Sequence, residues 1–246
     1  MPTASDPLTN FPVAAPSLPS PVFTSQRWSD LVFLHWPVDP AAVAHLFPPG
    51  SRPDVFADGM TYVGLIPFAM RDLSFVARVP VPYFGDFLET NVRLYSTDDH
   101  GRHGVLFRSL ETERLAMVGI SRAALGLPYT WARMRLTRNG DRITYVTTRR
   151  WPYRGLRSEI TVDVGAPVTA TPLETWLTAR WGAHTRKAGR TWWVPNEHAP
   201  WTFRAAEVAG IADELVAAAG VTPAGERLRA LFSTGTFTRF GRPSLV

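Results

Sequence analysis

The chain has 246 residues, 45% of them hydrophobic and 19% charged, a composition that belongs to a globular protein and not to a disordered one. It contains no cysteine, which excludes disulfides and thiolate metal sites. The net charge of +5 comes with 26 cationic residues, of which all but Lys187 are arginine. These are scattered without a block or stripe, so a nucleic-acid partner is not expected and an electrostatic preference for small anions is.

Residues 1–26 carry Pro2, Pro7, Pro12, Pro16, Pro19 and Pro21 and read as an arm, followed by one domain over 27–246. No cation precedes Arg27 and no apolar run occurs there, so a secretory signal is not expected. No stretch approaches the roughly 18 apolar residues of a membrane span. The expected location is the cytoplasm.

In chain order, 31–36 reads as a buried strand. Asp39 then caps a short helix with Pro40 at its first position. Residues 55–66 read as two short strands around Asp58-Gly59, and 87–95 as a strand with a hairpin partner at 105–110. Thr112 is expected to cap a helix running to Leu125. Asn139-Gly140 marks a hairpin between 133–137 and 142–148. A strand at 158–164 precedes Thr171-Pro172-Leu173-Glu174, a capping box with proline at the first helical position. The helix that follows puts Leu173, Trp176, Leu177, Arg180 and Trp181 on one face. Residues 184–189 read as a loop, 204–219 as a helix, and 231–240 as a last strand. Many strands with three or four helices predict an α+β domain, mainly antiparallel.

Candidate chemistry begins in Phe87–Tyr95. Strand alternation puts Leu88, Thr90, Val92 and Leu94 on one side and Glu89, Asn91, Arg93 and Tyr95 on the other. The second face suits either a polar barrel lumen or a solvated strand surface. On the next helix Arg122 shares a stripe with Leu115, Val118 and Leu125. It must either find a partner, such as Glu89, or snorkel to water. His35, in an apolar strand, and His198, before Ala199-Pro200-Trp201, are each either structural or functional. His100 and His103 sit in a glycine-rich turn without strong ligand spacing, and no metal site is expected. Trp192-Trp193 reads as core or as a stacking platform. No phosphate-binding glycine loop and no serine-nucleophile elbow is present, and no cofactor is expected.

Several segments together resemble the YqjF-like family of bacterial proteins. They are Phe33-Leu34-His35-Trp36, Leu88 to Tyr95, Gly104-Val105-Leu106-Phe107, Gly126-Leu127-Pro128-Tyr129, Leu173 to Trp181 and His198-Ala199-Pro200-Trp201. The likeness covers about Trp28 to Phe240. That family is similar in fold to the acetoacetate decarboxylase superfamily, which implies a β-barrel or cone with a closed pocket and helices outside. The resemblance admits a homo-oligomer, since decarboxylase relatives assemble into rings.

Decarboxylase members carry Gly-aromatic-Pro-Lys-Lys after a helix, and the first lysine forms a Schiff base with the keto substrate. Here the segment is Gly126-Leu127-Pro128-Tyr129-Thr130, so Tyr129 and Thr130 stand in place of the lysine pair. A phenol cannot form an imine. Glu89 matches the family's pocket glutamate by order and spacing.

The resemblance therefore implies a pocket with Glu89 and Tyr129 as candidate acid–base residues. His35, Asn91, Arg93, Arg122 and His198 are its candidate ligand contacts, and a small anionic organic molecule is the expected ligand. The alternatives are a lysine-independent lyase or isomerase on a keto or carboxylic acid, a Schiff-base enzyme using Lys187, and a non-catalytic structural or regulatory partner protein.

Overall fold

The apolar run Leu31–Leu34 is buried on both of its faces, and that fact sets the architecture. A strand whose two sides are both covered must lie between two cores. The computed structural model describes residues 7–9, 11–75, 79–80 and 85–246. The first half comprises β1 (Thr24–Val38), α1 (Pro40–Val43), β2 (Ser51–Pro53), β3 (Thr61–Phe75), β4 (Val79–Pro80), β5 (Phe87–Asp98), β6 (His103–Thr112) and α2 (Leu115–Leu125). The second comprises β7 (Tyr129–Asn139), β8 (Arg142–Trp151), β9 (Arg157–Val168), α3 (Pro172–Thr178), β10 (Gly182–Lys187), β11 (Arg190–His198), β12 (Phe203–Asp213), α4 (Leu215–Ala218), β13 (Ala230–Phe240) and β14 (Ser244–Leu245).

The strands form one mainly antiparallel sheet that closes on itself twice. One ring runs β6-β7-β8-β9-β12-β13-β1-β3-β5 and returns to β6. A second runs β6-β10-β11-β13-β1-β3-β5 and also returns to β6. The pairs β6–β7 and β6–β10 are parallel. Strands β13, β1, β3, β5 and β6 are common to both rings. Their alternation divides the interior: Val32, Leu34, Val63, Leu65, Val92 and Leu94 pack into one core with Ile143, Ile160 and Val162. Leu31, Phe33, Ile66, Phe68 and Phe87 pack into the other. The fold is thus the expected α+β barrel with few, short helices.

Local signals hold where they are chemical. Asp39 accepts from the Ala41 amide at 2.9 Å, ahead of Pro40. Thr171 and Glu174 complete the reciprocal capping box. Asn139 pairs with Arg142 across the Gly140 turn. Gly126, at φ 67°, ends α2 in the left-handed conformation.

Five local expectations are corrected. Residues 204–219 are not a helix but β12 followed by the single turn α4, because pairing with β9 and β13 overrides the helix propensity of an alanine-rich run. Ile211, within this run, is exposed. Residues 184–189 are not a loop: β10 and β11 meet at Ala188-Gly189, both at positive φ, in a two-residue hairpin turn. The segment 55–66 holds one strand start, at Thr61, after the Asp58-Gly59 turn. Thr112 closes β6 instead of capping α2, which begins at Leu115 without a side-chain cap. Finally, β1 starts at Thr24, inside the expected arm, and the Pro12 carbonyl accepts a hydrogen bond from the Trp181 indole.

Trp193 of the expected aromatic pair is a core residue. Its ring lies against Gly104 and Gly182, where an added Cβ would come within 2.5 and 2.4 Å of neighbouring atoms. Gly182→Ala is expected to destabilise the fold by about 1–3 kcal/mol through overpacking, read as a lower urea midpoint at unchanged m-value.

Candidate active site

A cavity of about 100 Å³ lies within the second ring, lined by residues of β1, β3, β5, β10 and β11 together with Tyr129, Arg180 and Trp201. A larger depression of about 840 Å³ lies outside it, open to solvent, and shares His198 with it. The chemistry converges on the smaller one, because Trp28, Asn91 and Arg180, each with a buried polar atom that lacks a partner, line it beside Glu89.

Strand alternation delivers Glu89, Asn91 and Arg93 to one face of β5 and into this cavity, as the sequence pattern predicts for a lumen. Glu89 is buried and is the one acid among the described residues that line the cavity. Tyr129 also lines it, and its hydroxyl donates to Glu89 Oε2 at 2.8 Å. Burial pushes the Glu89 pKa up to about 7, against the opposing hydrogen bonds from Tyr129 and Asn91. Burial, with Glu89 alongside, holds the Tyr129 phenol well above its usual range, so it stays protonated.

This pairing carries a pH signature. An acid whose folded pKa exceeds its unfolded value binds more protons when folded, so stability is lost as pH rises from about 4.5 through 7. A rise of two to three pH units at about 1.4 kcal/mol each is roughly 3 kcal/mol. Glu89→Gln removes the effect. Its stability relative to the wild type should therefore climb by about that amount between pH 5 and pH 8, which urea melts at a series of pH values would read.

The remaining expected residues divide. Asn91 is 4% exposed, and its Oδ1 has no partner. Arg93 is half-buried, and its hydrogen bond is one long contact, Nε to the Tyr95 hydroxyl at 3.4 Å. His198 donates from Nδ1 to the Ala199 carbonyl at 2.7 Å, packs between Trp181 and Trp201, and is kept neutral by burial. His35 is buried behind the wall and does not line the cavity. Its Nε2 lies 2.6 Å from the Tyr95 hydroxyl, and burial, helped by Arg93 and Arg180, keeps it neutral.

Arg122 is a correction. α2 buries Met117, Val118 and Ser121, so its inward face is turned from the expected stripe, and Arg122 is exposed. It donates to the Tyr129 carbonyl at 2.9 Å and lies over the Trp151 ring. It therefore supports the segment bearing Tyr129 without pairing with Glu89 or entering the cavity. Lys187 is likewise outside: its Nζ caps α2 by donating to the Ala124 carbonyl at 2.7 Å.

Sequence reasoning missed Arg180, which lines the cavity at 4% exposure. Its guanidinium donates to the Trp176 carbonyl at 2.7 Å, pairs with Asp54, and lies 3.9 Å from the Trp176 ring centroid. Its Nη2 is buried without a partner. Asp54 is held in turn by His103 at 2.8 Å. A cation on the apolar face of the helix expected to reach Trp181 was the available signal, although α3 ends at Thr178 and leaves Arg180 beyond it; nothing local marks Asp54.

Ser96, His184 and Asp98 form a hydrogen-bonded chain of 2.8 and 2.9 Å. Ser96 is fully buried and does not line this cavity, so the chain ties β5 to β10 and offers it no nucleophile. Among the described residues no group of three potential ligands could hold a metal ion, and no helix is long and apolar enough to cross a membrane.

Comparison with known sequences decides the family. The DUF2071 family, described as an uncharacterized conserved protein, matches residues 25–236. The chain belongs to the DUF2071 family. A relative of this DUF2071 chain is the uncharacterized protein YqjF of Bacillus subtilis (strain 168), 32% identical over 200 residues, covering 80% of this chain and 81% of that one. Among solved structures, acetoacetate decarboxylase from Legionella pneumophila superposes with a TM-score of 0.67 at 12% identity, covering 100% and 98% of the two chains. The enduracididine biosynthesis enzyme MppR complexed with pyruvate gives 0.62 at 16% identity, covering 93% and 91%. These structural matches establish that this DUF2071 member has the acetoacetate decarboxylase fold.

Proposed function

We propose that this chain binds a small organic carboxylate in this cavity, and does so without forming an imine. One observation carries the reading: Arg180 and Arg93 both line the cavity and both have spare donors, while the cavity's acid sits further along β5. A largely buried guanidinium with unmet donors favours a carboxylate, which accepts paired N–H bonds. MppR, of the same fold, is described in complex with pyruvate, which makes pyruvate a sensible first probe. By the sequence resemblance Tyr129 stands where the lysine is expected, and Lys187 lies outside the cavity.

Calorimetric titration with pyruvate should show one site per chain. Intact mass after treatment with pyruvate and cyanoborohydride should show no adduct. A trapped adduct would sink the imine-free reading, and the absence of any binding would sink the pocket reading.

A second reading, a lysine-independent lyase or isomerase, draws on the Glu89–Tyr129 pair. An acid with a pKa of about 7 beside a protonated phenol can take and return a proton near neutrality. Under this reading pyruvate methyl protons exchange with deuterium in the presence of the wild type and not of Glu89→Gln. Equal exchange rates in the two would exclude it.

A further inference from the structure

The cavity's polar atoms discriminate more finely than charge alone. Three residues that line it have a buried side-chain atom without a partner: Trp28 Nε1, Arg180 Nη2 and Asn91 Oδ1. The first two are donors. The third is an acceptor, and its orientation is fixed by its neighbour. Asn91 hydrogen-bonds Glu89 in a way that favours the charged carboxylate, which only the NH2 end of an amide can do. The oxygen is therefore the end left over. Tyr129 cannot supply it with a proton, because its hydroxyl already donates to Glu89.

We infer that the ligand is a short hydroxy carboxylic acid, in preference to the keto acid of the same skeleton. This rests on the carboxylate reading above and extends it. The carboxylate answers the donors of Arg180, Arg93 and Trp28. The hydroxyl donates to Asn91 Oδ1. A keto acid offers only acceptors, so it leaves the Asn91 oxygen buried and unmet. Asn91 lies two residues from Arg93 along β5, and the hydroxyl is taken on carbon 2 or carbon 3, the positions open to a small acid.

The test uses the full chain and two matched pairs: pyruvate against each enantiomer of lactate, and acetoacetate against each enantiomer of 3-hydroxybutyrate, by calorimetric titration at pH 8, where Glu89 is charged and holds the Asn91 amide NH2. In at least one pair, one hydroxy-acid enantiomer should bind about ten-fold more tightly than its keto partner, the usual cost of leaving a buried acceptor unmet. Asn91→Leu should bring that pair to parity. The wild-type comparison stands even if the variant folds poorly. If keto acids bind as tightly as both enantiomers in both pairs, the hydroxy-acid inference is overturned and the carboxylate reading survives. If no acid binds, the carboxylate reading falls and takes this one with it.

Discussion

Arg149→Leu should lower the unfolding free energy by about 3–5 kcal/mol. Arg149 is 5% exposed and donates to both oxygens of Glu111, which is fully buried; the contacts from Nε measure 3.2 and 3.1 Å. The Thr130 hydroxyl also donates to Glu111. Removing the guanidinium strands a carboxylate in the interior with that single hydroxyl as its named partner. Removing both charges is a different matter, since a well-packed apolar pair of similar volume can be neutral or better. The double variant Glu111→Leu/Arg149→Leu should therefore recover most of the loss in urea denaturation. A double variant as unstable as the single one would show that the pair contributes stability of its own.

Arg180→Lys should weaken pyruvate binding by about 30- to 100-fold, on the scale of truncating a buried charge-assisted hydrogen bond. Lysine keeps the charge, and the Asp54 carboxylate can hold it. What it loses is the planar fork that bonds the Trp176 carbonyl, Asp54 and the cavity at once. Calorimetry reads the affinity, and circular dichroism with a thermal melt confirms that the fold is retained. Unchanged affinity in a folded variant would leave Arg93 as the anchor and Arg180 as a structural ion-pair partner. Arg93→Met in parallel separates the two.

Legibility in the sequence followed the range of the interaction. The polar face of β5 was visible because a strand's period is two and four consecutive polar positions obeyed it. The Thr171 box and the Asp39 cap were visible because their chemistry closes within four residues. β12 was not: helix propensity is local, and the pairing with β9 that overrides it comes from about fifty residues upstream. α2 was misjudged by a fraction of a turn, enough to put Arg122 on the wrong side. The Arg180–Asp54 pair spans 126 residues, and only the closure of the second ring brings its members together. That positions 129 and 130 hold tyrosine and threonine and no lysine was readable directly. The hydrogen bond from the Tyr129 hydroxyl to Glu89 was not legible, since Arg122 was the partner the sequence offered for that carboxylate.

The shared wall also governs where this chain is free to change. Strands β1, β3 and β5 send alternate residues into both interiors, so a change that shifts their backbone is felt in both cores. β10 and β11 belong to the cavity's ring alone. Drift in Ala183, Asn196 and His198 can reshape the lumen while the opposite core keeps the molecule folded. Divergence of ligand preference among relatives should therefore be written first in that hairpin, with the β5 row of Glu89, Asn91 and Arg93 changing last.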